Sequence, residues 1–312
     1  MSNNDTEAKE EILTNRICGR DTRYFDVSQR AYTCCPMLGN ELPNNNICGQ
    51  RRAGFRIVRG REANLNEFPW MAMLLYRKRA SWDPELVFKC GGSLITNRYV
   101  LTAGSCINGI EVLDMELKRV RLGEHDQTSN PDCIEVRNKN KCNAPHLEID
   151  VEEIIVHNSY SKTRVFEADI ALLRLKMPVR FTNEIQPICL LPAHISAQRS
   201  DLVIAGWGET ETGKISGILK QAIIMENTRY CKNSRQLNNF DSMTQICAGG
   251  QGGRDTCYGD SGGPLMATFK QGYDEFLYVA GITSYGPAKC GRIGVYTKTG
   301  VYFNWIMRNL KP

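Results

Sequence analysis

The chain has 312 residues, 42% of them hydrophobic, which is enough apolar material for one large domain or two medium-sized ones. Its 39 basic and 34 acidic residues give a net charge of +5 and are interspersed, without the basic face of a nucleic-acid binder. No apolar run approaches the roughly 18 residues that a membrane span needs. These properties argue against a disordered chain and predict no nucleic-acid partner and no membrane partner.

The first 47 residues are polar and too few to bury a core. They contain Cys18 and the adjacent pair Cys34 and Cys35, and they end in the loop-like run Leu42-Pro-Asn-Asn-Asn-Ile. The very first residues are polar and acidic and lack the apolar core of a secretory signal. We therefore expect the original N-terminus to be missing or replaced.

From Phe68 onward, short runs rich in Val, Ile, Leu and Tyr alternate with Gly, Asn, Asp and Pro turns, which is typical of an all-β barrel or sandwich. Near the end of the chain, Val301 and Trp305, and Tyr302 with Ile306, are spaced as on one face of a helix. A C-terminal α-helix should close the domain. The clearest predicted strands are residues 71–76, 99–103, 120–122, 154–156, 170–175, 202–207 and 277–282.

Thirteen cysteines without any Cys-x-x-Cys pair favour disulfides in an oxidising compartment, and so a secreted, extracellular protein. The odd total predicts that at least one sulfur has no intramolecular partner. A metal site built from Cys18, Cys34 and Cys35 is a weaker interpretation, because an adjacent pair fits one tetrahedral centre poorly.

The most specific motif is Asp255-Thr-Cys-Tyr-Gly-Asp-Ser-Gly-Gly-Pro264, which resembles the nucleophile loop of the trypsin family of serine proteases. The resemblance implies that Ser261 is the nucleophile and that the backbone amides of Gly259 and Ser261 form the oxyanion hole. Glycine on both sides permits the tight loop that aims both amides at one point. The alternative is a Gly-rich turn between strands, which short motifs often are when they stand alone.

The specificity pocket also follows the family pattern. Asp255 would lie at the pocket floor, and Gly286 and Gly294 would leave its walls open to a long side chain. Ser284-Tyr-Gly286 resembles the short strand that pairs with the substrate backbone. In the family this arrangement selects Arg or Lys through a charge-assisted contact, so we expect a protein or peptide partner with basic residues.

An activation site is visible in Phe55-Arg-Ile-Val-Arg-Gly60, which resembles the zymogen junction of the same family. Cleavage after Arg56 would free Ile57, whose α-amino group would form a buried ion pair with Asp260. Arg59 departs from the family pattern, which usually has glycine there.

The catalytic base departs from the family. Asp169 looks like the aspartate that orients the imidazole, although a solvated turn aspartate before a buried strand is an alternative. Tyr99-Val-Leu-Thr-Ala-Gly-Ser-Cys106 aligns with the family segment Thr-Ala-Ala-His-Cys and places Ser105 where the histidine stands. A hydroxyl cannot accept the Ser261 proton near neutral pH, so we predict little or no peptidase activity. None of the four histidines lies in a segment that the family brings to the nucleophile: His125, His146, His157 and His194.

The family resemblance also implies most of the disulfides. Cys18, Cys34 and Cys35 remain, in a segment at about 16–36 that looks like the second half of a clip domain, whose full set is six cysteines. A truncated module of this kind cannot form its normal disulfides. The expected pairs are Cys90 with Cys106, Cys231 with Cys247, Cys257 with Cys290, Cys48 with Cys189, and, as a loop-closing fifth, Cys133 with Cys142.

The loop 123–133 resembles the calcium loop of many trypsin-like and clip proteases, with Glu124, Asp126 and Asp132 as carboxylate ligands. A solvated polar loop is an equally good interpretation, because oxygen-rich loops are common. We expect no organic cofactor.

The chain thus divides into three parts. Residues 1–47 hold the partial clip domain and a linker, residues 48–56 form an activation segment tethered by Cys48, and residues 57–312 form a trypsin-like domain. The expected fold of that domain is all-β, with two six-stranded barrels, the site between them and a C-terminal helix.

Three functional hypotheses remain open. The first is a non-catalytic homologue in an extracellular cascade of the invertebrate immune or developmental type, which binds other cascade proteases. The second is a weak endopeptidase that cuts after Arg or Lys when a substrate histidine supplies the base. The third is the product of a decayed or misassembled gene.

Overall fold

The computed structural model describes residues 17–20, 31–33, 39–50, 61–79, 85–136, 139–160, 166–195, 201–210, 213–253, 255–272, 274–287 and 290–312. Its strands are β1 (Ile17–Arg20), β2 (Ala31–Thr33), β3 (Arg61–Glu62), β4 (Met71–Lys78), β5 (Val87–Leu94), β6 (Tyr99–Thr102), β7 (Met115–Leu122), β8 (Cys133–Val136), β9 (Lys139–Cys142), β10 (Leu147–Val156), β11 (Ala171–Leu175), β12 (Leu202–Gly206), β13 (Lys220–Ile224), β14 (Gln245–Ala248), β15 (Pro264–Gln271), β16 (Asp274–Tyr285) and β17 (Gly294–Lys298). Its α-helices are α1 (Ser105–Asn108), α2 (Thr228–Asn233) and α3 (Phe303–Asn309), with 3₁₀ turns at Ile110–Val112, Arg235–Leu237, Gln251–Gly253 and Thr299–Tyr302.

The strands form two large antiparallel assemblies. In the first, β10-β11-β6-β5-β4-β7 closes into a six-stranded barrel. In the second, β14-β17-β16-β15-β12-β13 is extended by the two-residue strand β3 into a seven-stranded sheet. Hairpins β1-β2 and β8-β9 stand apart from both. The predicted all-β fold class is confirmed.

The two assemblies share one apolar core. Trp70, which is fully buried just before β4, donates its indole N–H to the sulfur of Met266 in β15 at 3.2 Å. Around this contact, buried side chains of both assemblies pack into a single continuous cluster. The cleft between the two halves is therefore lined by elements whose relative positions are fixed by shared packing.

Strands with charged outer faces are longer than expected. The sequence predicts only residues 120–122 of β7, yet this strand begins at Met115, where Met115 and Leu117 are buried and Glu116 and Lys118 point outward. The charged residues interrupt the apolar run on which the prediction rests. The alternation of buried and outward-facing residues is nevertheless the pattern of a strand with one face in solvent.

The predicted C-terminal helix is confirmed, with its first residues in a 3₁₀ turn rather than in the α-helix. Tyr302, Ile306 and Leu310 are buried against the core, as their spacing predicts. Among the described residues, no helix is long and apolar enough to cross a membrane.

Candidate active site

Two elements of the first barrel bring Ser105 and Asp169 together. Ser105 begins α1 directly after β6, and Asp169 precedes β11, the strand that pairs with β6. The Ser105 backbone N–H donates to Asp169 Oδ1 at 2.7 Å, and its hydroxyl donates to Asp169 Oδ2 at 3.0 Å. The serine therefore acts as a donor at the position where catalysis needs an acceptor of a proton.

Asp169 is a fully buried carboxylate that only neutral groups satisfy. Besides Ser105, it accepts a 2.5 Å hydrogen bond from the Ser284 hydroxyl, and its backbone carbonyl accepts one from Thr297 Oγ1 at 2.8 Å. Burial raises the pKa of Asp169, and the hydrogen bonds from Ser284, Ser105 and the Gly104 backbone act in the opposite direction. The hydroxyl of Ser105 is thus one of the few donors that make this buried charge tolerable.

The nucleophile loop of the second assembly packs directly on the first barrel. The backbone N–H of Gly91 in β5 donates to the carbonyl of Ser261 at 2.8 Å. Gly262 has φ +80°, and a Cβ at this position would overlap the hydroxyl of Thr102. Gly259 also has a positive φ, +95°, as the tight turn before Ser261 demands. Only glycine fits the close approach at 262, so this loop holds Ser261 in a fixed position.

Ser261 and Ser105 line the same cleft, which has a volume of about 570 Å³. No histidine lines it. His157 lies against Tyr302 and Trp305, with ring centroids 5.2 and 5.0 Å apart, and His146 is paired with a glutamate at 3.1 Å. The carbonyl of His125 accepts the indole N–H of Trp207 at 3.1 Å, and His194 is exposed on a loop. The chain therefore offers no imidazole to the Ser261 hydroxyl.

The floor and walls of the expected specificity pocket lie in the same cleft. Asp255, Gly286 and Gly294 line it together with Ser284. A Cβ at position 294 would lie 2.9 Å from Asp255 Oδ1, so a side chain there would cover the carboxylate. Burial raises the pKa of Asp255 to about 7, the Thr256 and Arg292 backbone N–H groups oppose this shift, and the Asp260 carboxylate adds to it. A bound cation would favour the ionised form of this acid.

Asp260 is a second acid under the same loop. It accepts hydrogen bonds from the backbone N–H of Gly208 at 2.8 Å and of Cys257 at 3.0 Å. Burial raises its pKa to about 6, and these two bonds oppose the shift. The predicted cleavage site, Arg56 and Ile57, lies outside the described residues. The ion pair between Ile57 and Asp260 therefore stays a prediction.

The structure contains five disulfides in its described part, and they join the same five pairs that the family resemblance implies. Cys90–Cys106 fixes α1 against β5, and both residues of Cys257–Cys290 line the cleft. The side chains of Cys18, Cys34 and Cys35 lie outside the described part.

The three carboxylates of the predicted calcium loop do not converge on one point. Glu124 pairs with Arg121 at 2.9 Å, Asp132 accepts the Ser129 hydroxyl at 2.8 Å, and Asp126 accepts the Thr128 hydroxyl at 2.7 Å. Within the described ranges, no group of three His, Cys, Asp or Glu side chains is placed to hold a metal ion. These residues do not fit a calcium ion as they stand, and calcium stays a prediction from the sequence.

Sequence reasoning missed the contribution of three aromatic side chains to the cleft. Phe166 and Tyr285 stack at 4.6 Å with an angle of 11° between their planes, and both line the cleft beside Ser284. Tyr160 lines it next to Ser105, and burial raises its pKa to about 12, with a further contribution from Asp169. Phe166 has a positive φ of 59°, which no sequence pattern announces. The only sequence signal for Phe166 is that it lies three residues before Asp169.

Residues 57–306 match a family model described as Trypsin. The chain belongs to the trypsin family. Three trypsin-family relatives come from insects. The chain is 40% identical to "Spaetzle-processing enzyme" of Drosophila melanogaster over 98% of this chain and 84% of that protein. It is 42% identical to "Melanization protease 1" of the same fly, over 86% and 69%. It is 38% identical to "Phenoloxidase-activating factor 3" of Holotrichia diomphalia, over 89% and 80%.

Among solved structures of the trypsin family, the chain resembles the crystal structure of the Drosophila Grass clip serine protease of the Toll pathway. The TM-score is 0.72 at 32% sequence identity, and the match covers 96% of this chain and 85% of that one. The chain is thus a trypsin-like serine protease of the clip-domain cascade type.

Proposed function

We propose that the chain is a secreted, catalytically impaired homologue that binds basic segments of other proteins in an extracellular proteolytic cascade. One observation carries this proposal: the Ser105 hydroxyl donates to Asp169 at 3.0 Å in the place where a proteolytic triad holds its base. A serine protease that lacks the base loses on the order of 10⁶-fold in turnover and keeps roughly 10³ to 10⁴ over water.

The binding half of the site supports the second part of the proposal. Asp255, with Gly286 and Gly294 beside it, leaves an open pocket that ends in a carboxylate. A guanidinium or ammonium group would meet that carboxylate in a partly desolvated setting, where charge-assisted hydrogen bonds are strongest. Recognition of Arg or Lys does not depend on the missing base.

The names of the relatives support a place in a cascade. One is named for processing Spaetzle and another for activating phenoloxidase, which are actions of one secreted protein on another. In this proposal, cleavage after Arg56 inserts Ile57 at Asp260 and shapes the pocket. The cut form then binds another cascade protease or its substrate, in innate immunity or development.

The test compares two forms of the protein cut after Arg56: the original chain and its Ser105→His variant. We expect the original chain to leave an Arg-containing fluorogenic peptide intact. The variant should hydrolyse it at least roughly 10³-fold faster, because an imidazole at 105 lies between Asp169 and Ser261. The matched control is the double variant Ser105→His with Ser261→Ala, which should lose the gained activity.

Two outcomes would contradict the proposal. Hydrolysis by the original chain at the rate of an intact trypsin would show that another group acts as the base. Cleavage restricted to peptides with a histidine near the Arg would instead favour the weak endopeptidase, in which the substrate supplies the imidazole.

A further inference from the structure

The loop 123–133 is joined to the first barrel by one arginine. Arg121 in β7 lies directly opposite Glu148 in β10, and its guanidinium contacts that carboxylate at 2.7 and 3.0 Å. The same guanidinium reaches Glu124 Oε2 at 2.9 Å through its remaining terminal nitrogen. Arg121 therefore bridges a sheet residue and a loop residue: Nε and one terminal nitrogen converge on Oε1 of Glu148, and the other terminal nitrogen donates to Glu124.

Glu124 needs such a partner because it is buried beside another acid. Its side chain is 0% exposed, and the Asp132 residue is 5% exposed. Burial, followed by the Asp132 carboxylate, raises the pKa of Glu124, while His146 and Arg121 act in the opposite direction. Two buried acids without a cation would be costly to ionise.

The oxygens of the loop acids already have protein donors. Glu124 Oε1 accepts the His125 backbone N–H at 3.0 Å, and its Oε2 accepts Arg121 and faces His146 Nδ1 at 3.1 Å. Asp132 accepts the His125 N–H at 2.8 Å on Oδ2 and the Ser129 hydroxyl at 2.8 Å on Oδ1. A metal ion would have to share these oxygens with their present donors and would lie close to the Arg121 guanidinium, whose positive charge repels it.

We propose that the guanidinium of Arg121 supplies the positive charge that balances Glu124 and Asp132, so that the loop 123–133 folds without a divalent cation. This inference is independent of the proposed function, because none of residues 123–133, all of which the structure describes, lines the cleft of Ser261, and because it predicts stability rather than turnover. It predicts that the protein is insensitive to calcium and to chelators.

The first experiment uses the unaltered full chain. Its thermal unfolding temperature should be the same, within about 1 °C, in millimolar calcium and in a chelator, since a ligand shifts stability only when it binds the native state. Terbium added in place of calcium should give no sensitised luminescence. Trp207 would sensitise terbium bound at this loop, because its indole N–H donates to the His125 carbonyl inside the loop at 3.1 Å. A calcium-dependent rise of several degrees would overturn the proposal.

The second experiment removes the arginine. Arg121→Ala should lower the unfolding temperature in chelator by roughly 6 °C or more, because it leaves a buried carboxylate without its partner. Calcium should restore part of that loss, and terbium luminescence should appear. The matched control is Arg119→Ala: Arg119 lies two residues earlier on the same strand and pairs with Glu148 and Asp150, but is 47% exposed. Its loss should change the unfolding temperature by at most about 3 °C and should not create calcium sensitivity.

If Arg121→Ala does not fold, Arg121→Lys keeps a charge but lacks the separate guanidinium nitrogens that contact Glu148 and Glu124. It should unfold at a temperature below that of the original chain and still show no response to calcium. If calcium raised the unfolding temperature of both Arg121→Lys and the original chain, then the ion, and not the arginine, would be what stabilises the loop.

Discussion

The two sides of the cleft differ in what their residues can do. On the side of the second assembly, Asp255, Ser261 and Gly294 line the cleft together, and in the proposed function this side recognises basic residues. On the side of the first barrel, Ser105 has become a hydrogen-bond donor to Asp169. Because recognition and proton transfer are carried by different elements, one can be lost while the other stays assembled. Three experiments test whether the two sides are in fact separable.

The largest effect is expected on the recognition side. Asp255→Asn in the protein cut after Arg56 should weaken the binding of an Arg-containing peptide by about 100-fold, which is the value of a charge-assisted contact in a partly buried pocket. Titration calorimetry measures it. Asp150→Asn, a change of an acid that is 51% exposed on the outer surface of the first barrel, serves as the control and should leave affinity unchanged. Equal affinity in Asp255→Asn would remove this pocket from the proposal.

The next effect concerns the altered side. Ser105→Ala should destabilise the protein by about 2 kcal/mol, because the buried Asp169 loses one of its donors. Chemical denaturation measures the change, and Ser105→Thr should retain most of the stability because it keeps the hydroxyl. Ser261→Ala is the matched comparison. The Ser261 hydroxyl has no hydrogen-bond partner among the residues that the structure describes, so its loss should cost less than about 0.5 kcal/mol. Equal costs for the two alanine variants would argue against a structural role for Ser105.

The smallest effect is a pH dependence of binding. Since the pKa of Asp255 in the empty pocket is raised to about 7, a cationic ligand must release a proton at lower pH. Affinity should be greatest above pH 7 and should fall by up to about tenfold for each pH unit below it. Binding of a peptide without titratable side chains other than Arg, measured from pH 5.5 to 8.5, checks this. A flat profile, or the same slope in Asp255→Asn, would contradict it.

The sequence is most informative about those parts of the site whose residues are close together along the chain. The residues from Asp255 to Pro264 are consecutive, so a single motif supplies the predicted nucleophile, oxyanion donors and pocket floor together. The same holds for the strands with uninterrupted apolar runs, such as β11 and β12. The sequence also shows directly that no histidine stands at position 105, because this depends only on which residue occupies one aligned position.

What the sequence could not supply depends on distant partners. The Ser105–Asp169–Ser284 cluster joins the start of α1, the residue pair before β11 and the end of β16, and the role of the Ser105 hydroxyl as a donor appears only when they meet. The sequence of the acidic loop 123–133 resembles a calcium loop, but it does not show that Arg121 and His146 face Glu124. The predicted range of β7 is too short for a related reason. Its charged, outward-facing side chains interrupt the apolar run, so that only the alternation of buried and exposed residues marks the rest of the strand.

The bond between Cys48 and Cys189 determines what cleavage at Arg56 does to the molecule as a whole. Cys48 precedes the Arg56–Ile57 peptide bond and Cys189 follows it, 141 positions after Cys48, so hydrolysis of that peptide bond would yield two polypeptides that stay joined by the disulfide. Only a reducing agent separates them. A protein bound by the N-terminal segment would therefore be held near a protein bound in the cleft. Two modest affinities would then add up to tight binding of the cleaved molecule.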